Sequence, residues 1–137
     1  RALERSSSTG AIAARIAQLY YRRGMRHKTI EYYERAIVRE PDNAFVLNNL
    51  AWTYAGEAMH LQHATELSLR AIKTDGENPV YLDTFAELLY LQRQYRRALA
   101  VIRRAVDLEP ENGEHWTYLQ GQHDKMRRAL TQTARLP

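Results

Sequence analysis

Ile16, Leu50, Phe85 and Leu119 lie 34, 35 and 34 residues apart, and Ala36, Ala71 and Ala105 keep the same ruler at 35 and 34. Pro41, Gly76 and Pro110 fall at matching stop positions, and the single extra residue lies between Tyr54 and Ala64. A chain that repeats itself on this scale is built from stacked supersecondary units, because no one unit can bury its own apolar face. Within each unit the apolar spacing is helical. Ala13, Ile16, Ala17 and Tyr20 recur at i, i+3, i+4, i+7, as do Leu47, Leu50, Ala51 and Tyr54, and Leu82, Phe85, Ala86 and Leu89 carry the same stripe. Sustained two-residue alternation is absent, so strands are not expected. Gly10, Gly24, Pro41, Gly56, Gly76, Pro79, Pro110 and Gly113 divide the chain. Helices are predicted near 10–23, 27–39, 44–56, 61–74, 79–92, 95–108 and 113–130.

Two helices per period of about 34 residues, closed by Pro, resemble the tetratricopeptide repeat. The large-then-small pairs Ile16-Ala17, Leu50-Ala51 and Phe85-Ala86 match that family's first helix, with Tyr20 and Tyr54 at its aromatic position. Ala64, Ala71, Ala98 and Ala105 look like its small residues at the helix crossing, and Tyr33 and Ile102 occupy its bulky apolar place. Thr29, Ser68, Leu89 and Gly76 depart from the pattern. The last unit has Trp116 and Leu119 in place but Gln120 and His123 where a small residue and Tyr are usual, which suits a polar cap. The resemblance implies an all-α right-handed superhelix, an α-solenoid. Its expected layout is a linker or disordered extension over 1–9, hairpins over 10–43, 44–78 and 79–112, a capping helix or partial repeat over 113–130, and a tail over 131–137. The wording of the segments Leu47 to Trp52 and Tyr81 to Ala86 is similar to bacterial members.

The same resemblance implies that first helices line a concave face and that the function is binding a protein or peptide there, without catalysis or cofactor. The residues turned inward are then Arg15, Gln18, Tyr21 and Arg22, followed by Asn48, Asn49 and Trp52, then Asp83, Thr84, Glu87 and Tyr90, and lastly Tyr118. Asparagine amides offer donors and acceptors to an extended backbone, and aromatic side chains anchor interfaces at low entropy cost. Arg15 and Arg22 at one end against Asp83 and Glu87 at the other favour a ligand of opposite polarity. A second reading stands beside several of these: Asn48 and Asn49 as helix-to-helix hydrogen-bonding groups, and Trp52 as a plug in the seam between hairpins. In the doublets Tyr20-Tyr21 and Tyr32-Tyr33, adjacent side chains diverge by about 100°, so core roles for Tyr20 and Tyr33 leave Tyr21 and Tyr32 for contact. A clamp for chaperone C-terminal carboxylates is matched at Asn49 alone, since Ala14, Val80 and Thr84 stand where its cations would fall. Stacking through hairpin ends, as a self-assembly module, is the alternative function.

Other classes find little support. The absence of cysteine excludes disulfides, thiolate metal sites and cysteine nucleophiles, and leaves the compartment open between cytoplasm and periplasm. His60 and His63 lack a third ligand at metal spacing and read as exposed histidines; His115 and His123 pair with no nucleophile, and no phosphate loop or nucleophile elbow is found. The net charge of +4 is mild. Its arginines cluster at Arg22, Arg23 and Arg26, at Arg93, Arg96, Arg97, Arg103 and Arg104, and near Arg127 and Arg128, but Glu31, Glu34, Glu66 and Asp107 intersperse them. The reading is a solvated convex face rather than a nucleic-acid or anionic-membrane surface. No apolar run reaches the roughly 18 residues of a membrane span, and the start lacks both a secretory signal and an initiator Met, as in a piece of a longer protein.

Overall fold

The computed structural model describes the backbone of residues 2–136 and the side chains of 9–136. Among the described residues seven helices follow one another: α1 (Ala2–Arg22), α2 (Arg26–Arg39), α3 (Ala44–Gly56), α4 (Leu61–Thr74), α5 (Pro79–Leu91), α6 (Tyr95–Leu108) and α7 (Trp116–Ala134). Each odd helix pairs with the even helix after it, the three hairpins stack in chain order, and α7 closes the stack against α6 and α5. The result is an all-α solenoid.

Small residues set the spacing. Ala17, Ala36, Ala51, Ala64, Ala71, Ala86, Ala98 and Ala105 are all fully buried, so the helix axes approach where these methyls meet, and larger side chains would force them apart. Around the alanines, Leu47, Leu50, Leu67 and Tyr33 fill the core of the first two hairpins. Leu82, Phe85, Leu89, Ile102, Leu119 and Met126 fill that of the third and its cap. Each stripe residue removes on the order of 2 kcal/mol of apolar surface energy from water.

The turns repeat as faithfully as the core. Inside each hairpin, Met25, Met59 and Gln94 donate their N–H to the carbonyls of Tyr20, Tyr54 and Leu89, while Gly24, Ala58 and Arg93 donate to Tyr21, Ala55 and Tyr90. This pairing ends an α-helix through one left-handed residue. Gly24 (φ 73°), Ala58 (φ 49°) and Arg93 (φ 62°) occupy that place, 34 and 35 residues apart. Between hairpins, Asn43 and Asn78 cap α3 and α5 by accepting from the N–H groups of Val46 (3.2 Å) and Val80 (3.0 Å). Pro79 sits in the first turn of α5, where a missing N–H costs nothing.

The substitutions against the family pattern are accommodated locally. Thr29 is buried with its Oγ1 donating to the Met25 carbonyl at 2.9 Å. Ser68 is buried with its hydroxyl unpartnered, the one departure that leaves a polar group unsatisfied in the core.

Both ends differ from expectation. From Ala2 the expected N-terminal extension belongs to α1. Gly10 does not start a helix but lies inside one, where a Cβ would meet the Cγ of Glu40 at 3.0 Å. The Ser-Ser-Ser-Thr run costs about 0.5 kcal/mol per residue in a helix, too little to end it. At the other end α7 starts at Trp116 rather than 113, because Gly113 bonds to the Pro110 carbonyl in a turn and Asn112 takes φ 64°. It runs on to Ala134, four residues past the predicted 130, since neither Gly nor Pro falls between 130 and 134.

An alanine in the left-handed region lacks the freedom a glycine has there. Ala58→Gly is therefore expected to raise stability by about 0.5–1 kcal/mol, read as a higher urea midpoint with an unchanged slope.

Candidate functional site

The inner surface of the first helices holds two adjoining clefts. The first, about 260 Å³, is bounded by Asn48, Asn49 and Trp52 of α3, by Pro79, Val80, Asp83 and Thr84 of α5, and by Tyr118 and Leu119 of α7, with Glu109 and His115 at its rim. The second, about 290 Å³, is bounded by Gln18, Tyr21 and Arg22 of α1, Tyr33 of α2, and Asn49, Trp52 and Thr53 of α3. Asn49 and Trp52 belong to both. Trp52 is half-buried, a wall between the clefts that keeps one face exposed.

Nine of the twelve sequence-predicted residues meet in these clefts: Gln18, Tyr21 and Arg22 in the second, Asn48, Asp83, Thr84 and Tyr118 in the first, Asn49 and Trp52 in both. Arg15 is exposed outside both linings. Glu87 and Tyr90 lie under α7. Lys125 Nζ stands 2.6 Å from Glu87 Oε2 and 4.5 Å from the Tyr90 ring centroid, and Gln122 Nε2 donates to the same carboxylate at 3.1 Å. The acidic end of the face is thus partly neutralised by its own cap.

The polar residues differ in what they have free. Asn49 Nδ2 donates a long bond, 3.4 Å, to the Tyr33 hydroxyl. Asn48 is 3% exposed and its Oδ1 has no hydrogen-bond partner. Thr84 is buried with its hydroxyl turned back to the Val80 carbonyl at 3.2 Å, so neither it nor Ala14, also buried, nor Val80 supplies a clamp-like charge. Tyr21 carries the Arg26 guanidinium 4.0 Å above its ring. Tyr32 is drawn elsewhere: it stacks on Tyr20 at 5.5 Å on the far side of the first hairpin, and Tyr20 is half-buried rather than fully enclosed.

Asp83 is the most perturbed group. It is 7% exposed and accepts from Gln122 Nε2 at 3.1 Å. Burial pushes its carboxyl up to about 6, with Glu87 adding to the rise, while hydrogen bonds from Gln122 and Tyr118 and the Lys125 ammonium pull the other way. Tyr118 is raised by burial and by Asp83 and Glu87. Glu109, Gln122 and Lys125 were not among the predicted site residues. The signal for α7 was present in the stripe Leu119, Gln122, Met126, all buried, with Lys125 one step to its side.

Among the described residues no three His, Cys, Asp or Glu side chains converge. His63 instead lies 3.2 Å from Glu34, whose carboxylate also accepts from the Tyr54 hydroxyl at 2.7 Å. No helix among the described residues is long and apolar enough to cross a membrane.

A carboxyl that binds its proton more tightly when folded makes the protein lose stability as pH rises through the window between about 4 and 6. Asp83→Asn removes that titration. The variant and wild type should match near about pH 4, and the variant should be more stable by on the order of 1–2 kcal/mol near about pH 7, read from urea unfolding across the range.

Comparison with known proteins agrees with this architecture. The tetratricopeptide-repeat family model matches residues 32–66. A TPR repeat-containing protein of Pseudomonas aeruginosa is 36% identical over 76 residues, 56% of this chain but 13% of the relative's length. Among solved structures, the TPR2B domain of yeast Sti1, in complex with pHsp70, superposes with a TM-score of 0.80 at 20% identity, covering 88% of this chain and 98% of that one. The first TPR of Spaghetti (RPAP3), bound to an HSP90 peptide, gives 0.79 at 17% identity, covering 91% and 95%. Repeat period, stacked hairpins and these matches make the chain similar in fold and repeat pattern to tetratricopeptide-repeat domains, with a bacterial repeat protein among its relatives.

Proposed function

We propose that this domain is a non-catalytic interaction module whose concave face binds an extended segment of a protein partner. The observation that carries the reading is the pair of adjoining clefts sharing Asn49 and Trp52. Together they offer a trough with aromatic walls and amide groups able to bond a peptide backbone. Two domains of the same fold, from Sti1 and Spaghetti, are solved with chaperone-derived partners. Their likeness lends support to the interaction class. The clamp cations are missing here, and the partner we propose is not a chaperone tail.

A second reading is favoured by one observation at the first hairpin. Ile12 and Leu19 are each 56% exposed, whereas Val46, one period later, is 1% exposed under the preceding hairpin. Ile12, Ile16, Tyr32 and Val38 line an apolar trough on this end, a surface suited to stacking on another hairpin.

Asn49→Ala with Trp52→Ala should weaken partner capture from the source lysate at least about tenfold while leaving the helical circular dichroism unchanged. Equal recovery would move the site off the concave face. For the second reading, the mass from light scattering should grow with concentration, and Ile12→Glu with Leu19→Glu should hold the protein monomeric. A wild type that stays monomeric at every concentration would end that reading.

A further inference from the structure

The cleft between α3, α5 and α7 has an unbalanced set of polar groups. Its floor holds the Asn48 amide, buried, with an Oδ1 acceptor that no donor of the protein reaches. Beside it stands the buried Asp83 carboxylate, and Glu109 stands at the rim. Among the described residues neither acid is in an ion pair: the nearby cation, Lys125, is spent on Glu87 and on the Tyr90 ring. Asp83 accepts from Gln122 and from the Tyr118 hydroxyl, which leaves part of a carboxylate's about four lone-pair sites open. Trp52 and Tyr118 supply aromatic walls, His115 is the remaining titratable lining group, and no arginine or lysine lines the cleft. The second cleft has the opposite sign, with Arg22 and no carboxylate in its lining.

A buried carboxylate without an ion-pair partner is costly, and a positive group in the cleft supplies the missing counter-charge. Aromatic faces attract the same kind of group. We propose that the first cleft is a subsite for a basic side chain, lysine or arginine, of the segment bound along the concave face. The ammonium or guanidinium would pair with Asp83 and, at the rim, with Glu109, with the aliphatic stem lying against Trp52 and Tyr118. The segment then runs with a basic residue toward α7 and acidic or neutral residues toward Arg22. This assignment rests on the peptide-binding reading and adds its specificity.

The test is a titration of the isotopically labelled domain with short N-acetylated, C-amidated serine–alanine peptides of identical sequence except for one central residue: lysine, its uncharged isostere norleucine, or glutamate. The side-chain resonances of Trp52 and Asn48 report occupancy. The lysine peptide should bind about tenfold more tightly than the norleucine peptide, and the glutamate peptide more weakly than either. Asp83→Asn should bring lysine and norleucine level. Glu109→Gln, at the rim and outside the core, should remove part of the preference even where Asp83→Asn alters the packing of α7. Norleucine binding as tightly as lysine, or glutamate more tightly, would overturn the basic subsite and leave the peptide groove standing. If no peptide moves the Trp52 or Asn48 signals, the subsite is overturned too, and the groove itself is judged separately by the Asn49, Trp52 pull-down.

Discussion

The close crossing of paired helices at alanine carries the rest of this structure. At Ala17, Ala36, Ala51, Ala64, Ala71, Ala86, Ala98 and Ala105 the side chain is a single methyl with no exposed surface. That geometry brings the helices near enough for the leucine and aromatic stripes on either side to interdigitate. Because the crossing recurs every 34 or 35 residues, each hairpin meets the next in a similar orientation. First helices therefore gather on one side, and a shared trough is the consequence. The clefts flanking Trp52 follow from this spacing.

The cap does more than cover the last apolar surface. Leu119 and Met126 of α7 enter the core of the third hairpin, while Gln122 and Lys125 reach across to Asp83 and Glu87. Burial raises the cost of keeping Asp83 charged, and the cap removes Glu87 and Tyr90 from the open face. What remains accessible is a smaller recess than a row of inward-facing residues would suggest. In many binding surfaces affinity is concentrated in such a central, largely desolvated patch.

The repeat period, the helix count and the core alanines were legible in the sequence because they depend on local spacing and on residue size. Helix ends were read well where a capping Asn or a left-handed turn marks them, as at Asn43 and Gly24. They were read poorly at Gly10, whose missing side chain serves a close approach to Glu40 rather than a stop, and at Ala134, where nothing in the sequence marks an end. Nine of the twelve residues expected on the inner face line the two clefts, since the resemblance named the inner helices and each helix's packed stripe gave its neighbouring face. Arg15 is exposed outside both clefts, and Glu87 and Tyr90 lie under α7.

By itself, then, the sequence determined the architecture: a stack of similar hairpins whose apolar stripes and small residues admit one mode of packing. Which helices line the inner face came from the resemblance to the repeat family, and the 100° step along each helix then gave the residues beside its packed stripe. Only the tertiary structure decided which inward groups stay available. That depends on contacts between residues 35 to 39 positions apart, such as Gln122 with Glu87 and with Asp83, and on whether a buried acceptor like Asn48 Oδ1 finds a donor. Hydrogen bonding and burial are properties of neighbours in space, which the period brings into register without stating whether their polar groups are satisfied.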